Sequence, residues 1–263
     1  MIITIGIIWT AVLMTSTLSG VLGMGGGVIL MFTLLSVLDI QAAMILHGIV
    51  QLVANGSRAV THRQHIWWHC IGWYALGSVV AVSCLATIKW LPGHRTVYLA
   101  GGLIPLLQFL PIKRLQLDIT NRFQATVCGG MITVGQIAAG AAGPLLDAFF
   151  SQVDKGRHGI VATKSATQVL AHFIKTTYFA AIASGYWTSS DRFTSQSAEH
   201  DRMSLSIFEG TIGSILLLGS IVLAIVGTLF GSRILAKISD QKFSFASRCL
   251  LLVLSFYSFS KLI

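Results

Sequence analysis

The sequence predicts an all-α, polytopic helical membrane protein of about eight transmembrane segments, built as two homologous halves whose first segments are broken or re-entrant. Three observations carry this expectation. Charged residues make up 10% of the 263 positions and hydrophobic ones 54%, whereas a soluble domain carries about 25% charged residues. The apolar sequence falls into stretches that mostly approach the ~20 residues an α-helix needs to cross a ~30 Å hydrocarbon core. The chain also matches itself, in spacing and chemical character, at a shift of 117 positions.

In chain order the charge-poor stretches are 1–38, 40–57, 64–88, 96–112, 123–146, roughly 159–187, 205–232 (broken by Glu209) and 249–260. None alternates with a period of two over ten residues, which speaks against a β-barrel. The first stretch is too long for one straight crossing, since 38 residues would extend ~57 Å at 1.5 Å per residue. It lacks the basic n-region of a signal peptide and reads as a retained segment. Inside it stands "LSGVLGMGGGVILM", residues 18–31, with five glycines between Gly20 and Gly27. Each costs about 1 kcal/mol relative to alanine in a helix interior, so this run marks where the helix breaks. It is either an interruption or a half-helix that turns back. Val28 spoils a G-x-G-x-x-G reading and no lysine follows, so the run is not a phosphate loop. Two explanations stay open: close packing of helices through small residues, or irregular backbone bordering a site.

The self-match favours the second. A gapless shift of 117 places Gly23 on Gly140 and Gly26 on Gly143, so that "GMGGGVIL" meets "GAAGPLLD". The same shift places His47, Gln51, Asn55 and Arg58 on Lys164, Gln168, His172 and Lys175. With steps of 4, 4 and 3, each set lies within ~80° of one helix face. The implied organisation is a first half over 1–112, a connector over 113–122 and a second half over 123–263, each half with about four segments.

These stripes hold the candidate site. An ionisable residue inside a membrane segment costs about 2.5–3.5 kcal/mol on insertion scales and is a functional hypothesis by default. Lys175 is the strongest case, lying near the middle of 159–187. Lys164 is nearer an end and either joins the site or snorkels to headgroups. Arg58 closes its apolar run and reads as an interfacial anchor or a ligand. Gln51 and Gln168 either bond substrate or link helices. His47 and His172 bond substrate, carry a proton or satisfy a backbone carbonyl. Gly25, Gly26 and Gly27 would offer backbone amides at the break. A set rich in Lys, Arg, His and Gln, with Asp147 the clearest acid near a span, suits an anion, helped by the positive ends of helix dipoles. A cation pore would want carboxylate rings.

The remaining features point away from other classes. The net charge of +9 sits mainly in connectors such as "KRLQLD" and "RILAKISDQKF", where the positive-inside bias explains it without nucleic acid. Cys70, Cys84, Cys128 and Cys249 form no C-x-x-C pair and read as small hydrophobes. His62, His65 and His69, interleaved with Arg63, Trp67 and Trp68, read as an interfacial belt rather than a metal site. The longest polar connector, 186–204, is expected to be a flexible loop. No metal or cofactor is called for. The partners expected are a small anion and the lipid bilayer, with a second copy of the chain left open.

The glycine run "LSGVLGMGGGVILM", the repeat run "AAGAAGPLLDAFF", the stretch "GIVATKSATQVLAHFIKTTYFA" and the tail from Gly227 to Ile263 resemble the TauE/SafE family of sulfite exporters. The K-S-x-x-Q-x-x-x-H-x-x-K stripe, Lys164 to Lys175, carries most of that likeness together with the glycines. The resemblance implies a multi-pass secondary transporter in the cytoplasmic membrane, moving sulfite or a related organosulfur or organic anion outward. Uptake or channel-like permeation of another anion, and a membrane-embedded enzyme, are the alternatives.

Overall fold

The uncharged N-terminal stretch forms two helices rather than one. In the computed structural model, which describes residues 2–22, 25–109, 117–151, 153, 156–184, 206–235 and 240–262, α1 spans Ile2–Leu22 and α2 spans Gly26–Leu35. Between them Gly25 takes φ +83°, a left-handed conformation that only glycine adopts without cost. Gly23 and Met24 of the glycine run lie outside the described residues. The chain turns back here. A Cβ placed on Gly26 would strike the Thr15 carbonyl and Ser19 on α1. Ile29 and Thr33 share a groove with Ile7, Ala11 and Thr15. Of the two geometries open to the sequence, α2 is therefore the returning half-helix, 10 residues or ~15 Å long.

The helices that follow are α3 (Ile40–Thr61), α4 (Trp68–Thr87), α5 (His94–Leu106), α6 (Arg122–Ala139), α7 (Gly143–Phe150), α8 (Arg157–Ala183), α9 (Gly210–Leu235) and α10 (Asp240–Ser260). Among the described residues there is no strand. The start of α6 is held by Asn121, whose side chain accepts from the backbone N–H of Phe123 and Gln124 at 3.0 and 3.2 Å, a cap worth about 1 kcal/mol. Its end is Gly140, again left-handed at φ +76°. Pro144 then starts α7, where its missing N–H costs nothing. Gly26 and Gly143 begin the two half-helices, and Ile40 and Arg157 begin the helices after them. Each pair is 117 positions apart. Residues 113–116 of the proposed connector 113–122, and the whole of the polar loop 186–204, lie outside the described residues.

The bundle is organised around α3 and α8, which pack along their length and run antiparallel. Gly48 faces Thr176, Gly56 faces Val169, and the Trp67 N–H just beyond α3 donates to Thr163 Oγ1 at 3.1 Å. Around this pair α1 packs on α9, α4 on α6 and α5 on α10. The crossings rely on glycine, as expected where helix association depends on close backbone approach rather than on a hydrophobic drive. Gly77 lies against the Thr126 backbone and Gly129 against the Tyr74 backbone, with Ser78 Oγ donating to the Gly129 carbonyl at 3.2 Å.

Residues 2–19, 68–87 and 210–231 are long and apolar enough to cross a membrane, and their outward faces expose Val79 and Val80 on α4 and Leu218, Val222 and Val226 on α9. The central helices α3 and α8 are as long, 22 and 27 residues, but carry the polar stripes inward. The α5 helix is shorter, at 13 residues or ~20 Å.

Candidate functional site

The tips of the two helical hairpins meet beside the α3–α8 pair and leave a cavity of about 140 Å³. A water requires ~10–15 Å³ on this measure, so the space suits a small polyatomic ion. Gly25, Gly27 and Val28 line it from the first hairpin and Ala141 to Pro144 from the second. From α3 come His47, Gln51, Asn55 and Arg58, one face of the helix as the spacing predicted. From α8 come Lys164, Ser165, Gln168 and His172, with Ser19 and Gln136 from the helices leading into the breaks.

Among the described lining residues, four side-chain N–H donor atoms lack a hydrogen-bond partner, against the acceptors Gln136 Oε1 and Asp147 Oδ2 and the ring nitrogen His172 Nδ1. Nε and Nη2 of Arg58 are buried without a hydrogen-bond partner, as is Nε2 of both Gln51 and Gln168. Neighbours hold the glutamines by their oxygens. Gln136 Nε2 donates to Gln168 Oε1 at 3.2 Å, and Asn55 Nδ2 donates to the Gln51 carbonyl at 2.9 Å and to its Oε1 at 3.4 Å. Their amide N–H groups are thereby left free. Asp147, the single acidic lining residue among the described ones, pairs with Lys164 through Oδ1.

Lys175 and Gly26 stand apart from this arrangement. Both were candidate ligands, and neither lines the cavity. Lys175 is wholly buried and donates to the Gly140 carbonyl at 2.8 Å. It also lies 2.7 Å from His47 Nδ1. His47 Nε2 is 2.8 Å from the Gly27 carbonyl, which can only accept, so the proton sits on Nε2 and Nδ1 accepts from Lys175. The chain Gly27–His47–Lys175–Gly140 thus ties one break to the other through α3 and α8. Gly26 is spent on packing against α1. Arg58, which the sequence left between anchor and ligand, faces the cavity.

Among the lining residues that went unselected from sequence are Ser19, Gln136, Asp147 and Ser165. Ser19 and Gln136 are themselves 117 positions apart, so the same shift pairs them. Asp147 carried no such signal, because its counterpart is Leu30. The histidines beyond α3 group differently from their spacing: His62 and His65 lie near His158, ring centroids 5.7 and 5.4 Å away, while His69 accepts from Trp73 Nε1 at 3.2 Å.

Fold and cavity together define a helical membrane protein with a small, donor-rich chamber between two broken helices. The family described as sulfite exporter TauE/SafE matches residues 8–258, and the chain belongs to that family. It is a family of membrane transporters of sulfite-like anions. No curated protein matches the chain, and no solved structure does.

Proposed function

We propose that the protein is a secondary transporter that exports sulfite, or a related small organosulfur or organic anion, across the cytoplasmic membrane. Its two homologous halves, 1–112 and 123–263, are inverted relative to one another and hold the anion between their broken first segments. The observation that supports this reading best is Arg58. A guanidinium whose Nε and Nη2 are buried with no hydrogen-bond partner among the described residues carries a standing cost of about 1–3 kcal/mol or more per group. An oxyanion relieves that cost, since its planar face of oxygens matches the guanidinium fork. Free amide N–H groups of Gln51 and Gln168 and the backbone of Gly25 and Gly27 complete a shell of donors. The length of a half-helix, ~15 Å, sets these groups well inside a ~30 Å core.

The test is flux of radiolabelled sulfite into or out of proteoliposomes. Wild-type protein is expected to accelerate it above protein-free vesicles, and Arg58→Ala at equal incorporation to abolish most of that acceleration. Equal flux in the two proteins would remove the anion from this cavity. Conversion of sulfite without movement would favour an enzyme.

A further inference from the structure

Among the described residues Asp147 is the only acidic one lining the cavity, and the fold does not demand it. The position 117 residues earlier holds Leu30, fully buried in the apolar core. Asp147 Oδ1 accepts from Lys164 Nζ, while Oδ2 is buried and has no partner. Its side chain is only 19% exposed. A cavity shaped for an anion therefore contains a carboxylate that competes with the anion for Lys164, with one oxygen unsatisfied.

We propose that Asp147 is a proton-binding site coupled to the anion: the proton on Oδ2 and the anion occupy the cavity together. This deepens the reading of the cavity as an anion site and rests on it. Lys164 and His172 face this region from α8, and His47 and Arg58 from α3. Lys175 stands one layer behind, bonded to His47 and Gly140. From α6 comes the neutral Gln136, and no titratable side chain of α5 lines the space. Arg58 and Lys164 against one carboxylate leave a single positive charge. A proton on Asp147 raises that to two, the charge a divalent oxyanion requires. It also turns Oδ2 from an acceptor that repels the anion into an O–H donor, and it releases Lys164 to the anion. The step is a proton transfer from water to Oδ2; no bond other than O–H forms or breaks. Coupling is reciprocal: by whatever factor the proton strengthens anion binding, the anion strengthens proton binding. Each anion that crosses carries this proton with it.

Infrared difference spectra, recorded as sulfite is added to purified protein in lipid nanodiscs near pH 8, read the proton directly. The wild type is expected to gain the C=O band of a protonated carboxyl and lose a carboxylate band. Asp147→Asn is expected to lose both changes while other sulfite-induced bands persist, and Asp147→Glu, which keeps the carboxyl, to shift the C=O band. Sulfite affinity between about pH 6 and pH 9 should fall in the wild type by up to about tenfold per pH unit beyond the anion's own titration. In Asp147→Asn only the anion's titration should remain. Sulfite-induced changes without a carboxyl band, or a band that survives unaltered in both variants, overturn the proton site alone. A wild-type spectrum that sulfite leaves unchanged overturns the anion reading, and the proton site with it.

Discussion

The two ends of the α3–α8 pair hold matching residues in opposite circumstances. At one end Arg58 borders the chamber, with Nε and Nη2 unpaired among the described residues. At the other, its counterpart 117 positions on, Lys175, has spent its donors on the Gly140 carbonyl and on His47. That end is filled: a Cβ on Gly140 would strike Met31 and Met44, both fully buried. Pseudo-symmetric parts in unlike states are what a transporter open toward one side requires. The difference teaches that a basic residue at a stripe position keeps its donors free only where the break beside it stands away from it. Where the break closes in, the same position becomes a tie between backbones.

The largest expected effect lies at the open end. Arg58→Gln should weaken sulfite binding by about 100-fold, the loss of two charge-assisted hydrogen bonds at about 1.5 kcal/mol each or more. Its melting temperature in detergent should stay within about 2 °C of the wild type, because Nε and Nη2 give up no hydrogen bond to a described residue. Binding by calorimetry and thermal unfolding on the same preparations check both halves of that statement.

Lys175→Met should invert the pattern. It leaves the Gly140 carbonyl and His47 Nδ1 without a donor, at about 1–3 kcal/mol each, which corresponds to a fall in melting temperature of roughly 4–15 °C. Sulfite affinity in the folded fraction should change less than about tenfold. A variant of undiminished stability whose affinity collapses would mean that Lys175 meets the anion in the state measured, and the comparison drawn above would be wrong.

The neighbouring glycines offer a finer contrast. Gly26→Leu drives a side chain into the Thr15 carbonyl and should cost stability first, with overpacking worth about 1–3 kcal/mol. Gly27→Ala meets only the Gln51 amide, at 3.2 Å, and should keep its stability while lowering affinity a few fold. Unfolding and binding curves for the pair separate packing from site. Smallest of all, Gln51→Leu and Gln168→Leu should each weaken sulfite by about fivefold, one neutral hydrogen bond at about 1 kcal/mol. A marked inequality between them would show that the anion sits closer to one half.

Much of this architecture was legible because its signals are local. Excess length in residues 1–38 and a glycine run require a break, and the spacing 4, 4, 3 places His47, Gln51, Asn55 and Arg58 on one face whatever they meet. The choice between interruption and turning back was not legible, since it depends on whether Ile29 and Thr33 find Ala11 and Thr15. Depth alone does not separate a ligand from a tie between backbones. Lys175 looked the better ligand because it lies mid-segment, but mid-segment is also where it reaches Gly140 and His47. Asp147 escaped selection because one acid in an apolar helix has no pattern, and only its place beside Lys164 gives it meaning.

The sequence by itself determined that the chain is a helical membrane protein, where its two breaks fall, and which faces of α3 and α8 are polar. Composition, length and the 3.6-residue period settle these matters, and all three are properties of a segment considered alone. Only the tertiary structure decided which polar groups share one space. Antiparallel packing of α3 on α8 brings residues more than a hundred positions apart to within hydrogen-bond distance, as with His47 and Lys175. Whether a donor is then used or left free depends on where the neighbouring backbone comes to rest, and no periodicity in the chain encodes that distance.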